Sequence, residues 1–166
     1  MNDTDHMRLL GVCAFVLLTT SVASGQILSG RLAPVGRRSG LFRLHRMASV
    51  SGLVVAAVHG LGSAEAASGS QAALGLVALA GMATPAAAWA ARRSLATRWR
   101  LIHAAAYVAF ATATIHVVAF HPPTMPRAEA LLYTLSVAGV GGLVVWRAGT
   151  AAMHITRRPP AARSGS

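Results

Sequence analysis

The chain has 166 residues, of which 54% are hydrophobic and only 11% charged, with a formal net charge of +11. Soluble domains carry roughly 25% charged residues, so the composition excludes an ordinary water-soluble domain. A charge this positive would suit nucleic acid, but the placement of the arginines argues for a membrane instead.

The chain opens on MNDTDHMR and passes into a first apolar run, 9–28. The run ends in small residues, as a signal peptide does. Its leader, however, holds two Asp and one Arg where a secretory leader is net positive, so the run reads as a membrane helix. Cys13 is the single cysteine; it excludes an internal disulfide and a Cys-based metal site and is expected to be a small buried thiol. An Arg- and Gly-rich connection at 29–43 leads to the second run, 44–61. The small polar stretch GSAEAASGSQ leads to the third, 72–91, which Pro85 is expected to kink. RRSLATRWR precedes the fourth run, 101–120, and Pro122 and Pro123 stop it, since neither can donate the backbone bond of a further turn. The fifth run is 130–146, and a basic tail of disordered composition follows at 147–166.

The runs are 17–20 residues long and lack acids, close to the ~20 residues a helix needs to cross hydrocarbon. In lipid each backbone group must be bonded within its own segment, which requires helices. The expected fold is therefore all-α: one five-helix transmembrane bundle over 9–146, with a short tail at 1–8 and the basic tail at 147–166.

All fifteen bases are Arg, and thirteen fall in the connection before the second run and its first residues, in the connection before the fourth, and after the fifth. Asp3, Asp5, Glu65 and Glu129 fall at the opposite ends. Arginine-rich loops face the cytoplasm, so the expected protein is multi-pass in the cell membrane, N-terminus outside and C-terminus cytoplasmic. A patch for anionic lipid or nucleic acid is the competing reading of the same charge.

An ionisable group inside a membrane is costly and is a functional candidate. Four of the seven histidines occupy two runs: His45 and His59 in the second, His103 and His116 in the fourth, with His121 at its end. The two runs are parallel in the expected topology, so His45 shares a depth with His103 and His59 with His116. Steps of 14 and 13 residues rise about 21 and about 19.5 Å, giving two tiers within a ~30 Å core. Such tiers suit haem b, a flat apolar group whose iron takes one imidazole from each side. Arg43, Arg46, Arg98 and Arg100 flank the cytoplasmic tier and offer guanidinium groups to propionates, or simply set topology. A haem-free alternative uses each histidine as an interhelical hydrogen-bond donor. Zinc is disfavoured, since neither carboxylate nor thiol lies among the four and the tiers are too far apart to share an ion.

Helix phase separates the two runs. Fourteen residues make about 1400°, about 40° short of four turns, so His45 and His59 share a face. Gly52, midway between them, leaves room for two macrocycles or for close helix packing. Thirteen residues fall about 140° short, so a straight helix would not turn His103 and His116 the same way. His121 returns to the face of His103 and is the alternative outer ligand; His116 is preferred because its depth matches His59. His6 and His154 lie in the tails and are expected to be solvated. The starts RLHR and RLIH of the second and fourth runs are too short to establish a repeat.

His-x13-His in one helix and His-x12-His in the next but one resembles the ferric reductase-like transmembrane domain superfamily. That group includes ferric reductases, NADPH oxidases and the haem-binding membrane subunit of the methionine sulfoxide reductase system. The resemblance covers chiefly the second to fourth runs. It implies two b haems, one on His45 and His103 and one on His59 and His116. It also implies an oxidoreductase subunit that passes electrons from the cytoplasmic side to an outer acceptor. The chain departs from the family in having five runs rather than the common six, and no Gly-rich dinucleotide fingerprint follows them. The expected electron donor is accordingly a separate flavin reductase or a quinol. A quinone-reactive cytochrome b and a haem-free packing or assembly protein are the alternative functions; nucleic acid is not an expected partner.

Overall fold

A computed structural model describes residues 3–29, 32, 34–64, 67–95, 98–120 and 125–156. His121, Pro122, Pro123, Glu65 and the tail 157–166 lie outside the described residues, as do the side chains of Arg100 and His154. The described chain forms α1 (Asp3–Ser29), a 3-10 turn (Val35–Arg37), α2 (Arg38–Ser63), α3 (Gly69–Ala90), α4 (Arg92–Leu95), α5 (Trp99–His103), α6 (Ala105–Phe120) and α7 (Arg127–Thr156). Five spans, with α5 and α6 making one, are long and apolar enough to cross a membrane. The protein is a multi-pass all-α bundle.

Every span outruns its apolar stretch at one end or both. Hydropathy marks only the part that must avoid water, whereas a helix continues until its backbone is capped or broken. α2 thus begins at Arg38 and carries Arg43 and Arg46 on its opening turns, and α7 runs ten residues past the expected end to Thr156. α3 starts on a capping box: Gln71 N–H donates to Ser68 Oγ at 3.4 Å while Ser68 N–H donates to Gln71 Oε1 at 3.0 Å, satisfying two otherwise orphaned donors. It then runs unbroken through Pro85.

The fourth span differs from the single helix expected. It is interrupted at Ala104, whose N–H bonds Leu101 O at 3.1 Å, and Tyr107 N–H in turn bonds Ala104 O at 3.0 Å. These are three-residue bonds, which wind the chain by about 120° per residue instead of about 100°. Each residue so wound recovers about 20° of the phase deficit between His103 and His116. The break lies one residue past His103, where it reorients that ring relative to the rest of the span.

Helices 1 and 2 pack antiparallel, as do α3 and the α5–α6 span; α1 and α7 run parallel. The pairs α1–α2, α2–α3, α3–α6 and α6–α1 form the sides of a square, with α2 and α6 at opposite corners and α7 outside against α1. Small residues allow the closest approaches. A Cβ on Gly81 of α3 would lie 2.9 Å from Ala109 Cβ of α6, and one on Gly52 would lie 3.2 Å from Leu17 Cβ of α1. The large buried side chains cluster elsewhere, between α1, α6 and α7: Phe15, Leu18, Val22, Phe110, Tyr133 and Val140. Phe15 is the hub, stacked on Phe110 at 5.8 Å and edge-on to Tyr133 at 4.9 Å. Leu61, Leu101, Val118 and Val145 are more than 70% exposed, which suits a surface solvated by lipid tails. Cys13 is also exposed. It sits on the face of α1 turned away from the bundle, not in the buried position expected of it.

Arg37, Arg38, Arg43, Arg46, Arg92, Arg93 and Arg98 gather at one end of the bundle and Asp5 and Glu129 at the other. At that acidic end Arg8 of α1 pairs with Glu129 of α7 at 3.0 Å.

Candidate functional site

The square of α1, α2, α3 and the α5–α6 span brings the four histidines together as two pairs. Near the arginine-rich end, His45 of α2 and His103 of α5 face each other with ring centroids 6.0 Å apart and planes at 67°. Near the acidic end, His116 of α6 comes within electrostatic reach of His59 of α2. All four rings are half-buried. Trp99 lies edge-on to His103 at 5.6 Å, and Phe120 lies 5.7 Å from His116.

The α2 rings are held by the main chain of α1. His45 Nδ1–H donates to the carbonyl oxygen of Ser21 at 2.8 Å, and His59 Nδ1–H to that of Met7 at 2.9 Å. A carbonyl can only accept, so each Nδ1 carries the proton, and in a neutral ring Nε2 is left with its lone pair. This arrangement is the usual one for a metal-bound imidazole: one nitrogen donates to a backbone carbonyl and the other is presented to the metal. Ser24 Oγ lies 3.5 Å from His45 Nδ1, and Ser21 Oγ and Ser49 Oγ share a bond of 2.6 Å one turn away. Those contacts tie α1 and α2 together at the depth of His45.

The partner rings face α3. His103 approaches the main chain of Pro85, and His116 that of Gln71; a Cβ on Gly75 would lie 3.8 Å from His116 Cε1. Neither closes a well-formed hydrogen bond, and both Nδ1 atoms are buried without a partner. A buried donor in this state costs about 1–3 kcal/mol, so these rings gain by any movement that pairs them.

Glycines seat the imidazoles, and sequence reasoning passed over them. A Cβ on Gly25 would lie 3.1 Å from His45 Cε1, and one on Gly11 would lie 3.0 Å from His59 Cε1. Each glycine follows by four the residue whose carbonyl receives Nδ1–H: Ser21 then Gly25, Met7 then Gly11. In a helix that carbonyl already accepts the N–H of the fourth residue on, and a side chain there would stand in the path of the ring. A signal was present: Gly11 and Gly25 are fourteen residues apart, the same step as His45 to His59.

Gly52 is buried against Leu17 and Leu18 of α1 and Met82 of α3, the position of a helix-packing glycine. Arg43, Arg46 and Arg98 are exposed at the arginine-rich end. Arg147, also exposed, instead reaches across to α1, donating from Nη1 to Gln26 Oε1 at 3.2 Å and to Ser29 Oγ. It borders an open surface groove of about 350 Å³ shared with Gln26, Tyr107, Val144 and Ala148.

The donor set fits a haem. An ion bridging two Nε2 atoms at about 2 Å each would hold ring centroids about 6.5 Å apart, close to the 6.0 Å observed for His45 and His103. Among the described residues no three of His, Cys, Asp and Glu gather as a metal cage. A tier of two imidazoles therefore suits a metal whose remaining ligands come from a macrocycle. The residues buried in α2 and α3 are also small or compact, namely Ala48, Gly52, Ala78, Pro85 and Ala88. Comparison of the chain with protein-family models, with curated proteins and with solved structures finds no match.

Proposed function

We propose that this chain is a dihaem b membrane cytochrome subunit that carries electrons across the bilayer. One haem is held by His45 and His103, the other by His59 and His116. The observation that carries the reading is the opposed His45–His103 pair at 6.0 Å, with the α2 ring already committed to the tautomer that leaves Nε2 free. Bound haem supplies one-electron chemistry. The polypeptide's part is to hold the imidazoles at two depths, orient them through α1, and keep water from the space between the four helices.

The arginine-rich end is assigned to the cytoplasm by the charge rule for short loops, which puts the N-terminus outside and the C-terminus inside the cell membrane. Electrons then enter near His45 and His103 from a flavin reductase or a quinol and leave near His59 and His116 to an outer acceptor. A quinone-reactive cytochrome b is favoured by one feature, the open groove beside Gln26, Tyr107 and Arg147. At about 350 Å³ this open groove has room for a quinone head group against the lipid-facing surface. Reduction by a quinol analogue, compared with reduction by a soluble flavin reductase, separates the two donors.

The deciding experiment is the visible spectrum of protein purified after expression with ample haem. A Soret band with the sharp reduced α-band of six-coordinate low-spin haem is expected. A colourless, folded protein would leave the haem-free packing role.

A further inference from the structure

We infer that Gly25 and Gly11 are positioning residues, each assigned to one tier: Gly25 seats His45 and Gly11 seats His59. The inference rests on the haem reading and specifies how this chain aims the ligands.

Three observations converge. Each glycine lies where a Cβ would crowd the imidazole, at 3.1 Å for Gly25 and 3.0 Å for Gly11, distances that force the ring or the helix to move. Each follows by four the carbonyl that receives Nδ1–H, from Ser21 and from Met7. Both spacings on α1 repeat the fourteen-residue step of His45 and His59 on α2, so each ring meets the same local surface one tier apart. Gly52 provides the contrast. It is as buried as a packing glycine should be, yet its neighbours are Leu17, Leu18 and Met82 rather than a histidine. A methyl at Gly25 or Gly11 pushes on a ring by a few tenths of an ångström and strains its carbonyl bond, whereas one at Gly52 pushes on Leu17 and leaves the rings alone.

The experiment compares Gly25→Ala, Gly11→Ala and Gly52→Ala in the full chain by redox titration and low-temperature EPR of the low-spin haem signals. Gly25→Ala is expected to shift or remove the signal of the haem on His45 alone, and Gly11→Ala that of the haem on His59 alone. Gly52→Ala should disturb both alike or neither. Retention of the other haem shows that each variant is folded. A second measurement needs no haem: a double-mutant cycle on apoprotein thermal stability. Gly25→Ala should lower the melting temperature when His45 is present and have little effect in a His45→Ala background, because no ring remains to crowd. Equal disturbance of both tiers by Gly25→Ala and Gly11→Ala, or no coupling between Gly25 and His45 in the cycle, overturns the inference. A wild-type protein without a Soret band would defeat the haem reading, while the stability cycle would still report whether the seat exists.

Discussion

The carbonyl oxygen of Ser21 accepts the Nδ1–H of His45 at 2.8 Å, across the antiparallel contact of α1 and α2. The bond leaves one nitrogen of that ring available to a metal, in a ring whose centroid lies 6.0 Å from that of His103.

A ligand held this way is pre-organised, whereas the opposing His103 has its Nδ1 buried and unpaired. The two should therefore not be equivalent. His45→Ala is expected to halve the haem content measured by pyridine haemochrome. His103→Ala should leave part of the same haem bound through His45 as a five-coordinate, high-spin species, visible as a broadened, blue-shifted Soret band. Identical losses from both substitutions would contradict this asymmetry.

The acidic-end tier should respond separately. His59→Ala or His116→Ala is expected to remove one haem and leave the midpoint potential of the remaining one within a few tens of millivolts, since the tiers are separated by about 20 Å of helix rise. If His121 rather than His116 were the second ligand, His121→Ala would produce that loss and His116→Ala would not.

Phe15 joins α1 to both α6 and α7 through Phe110 and Tyr133 and is 3% exposed. Phe15→Ala removes dispersion contacts that neither lipid nor the neighbouring side chains can replace. The expected cost is about 3 kcal/mol, read as a lowered unfolding midpoint in detergent titrations. A midpoint within error of wild type would mean that α7 is not anchored there.

Gly81 faces Ala109, which is fully buried, so closely that a Cβ would come within 2.9 Å. Gly81→Val should force α3 from α6 and cost about 1–3 kcal/mol by overpacking. By contrast, Arg8→Gln at the acidic end should cost about 1 kcal/mol, because Arg8 is 45% exposed in its pair and Gln can still donate a hydrogen bond to Glu129, which is only 18% exposed. A larger effect for Arg8→Gln than for Gly81→Val, in the same thermal-stability assay, would reverse this ranking of packing over surface charge.

Much of the architecture was legible in the amino-acid sequence because it depends on local quantities. Hydropathy over about 20 residues marks a span, and the helical rise per residue sets the depth of every histidine. Five spans, and His45 level with His103, needed no knowledge of contacts. The ends of α2 and α7 were misjudged because hydropathy records where lipid lies and not where the backbone stops bonding. Cys13 was misplaced because a low, even polarity around α1 hides which face turns inward.

The amino-acid sequence by itself thus determined that this is a helical membrane protein with imidazoles at two levels. Only the tertiary structure decided which nitrogen each α2 imidazole presents, which glycines make space for it, and how His103 is turned by the break at Ala104. Those features join residues far apart in the chain, Ser21 to His45 and Met7 to His59, through hydrogen bonds and steric clearances of about 3 Å. No one-dimensional pattern specifies such distances until the helices have chosen their neighbours.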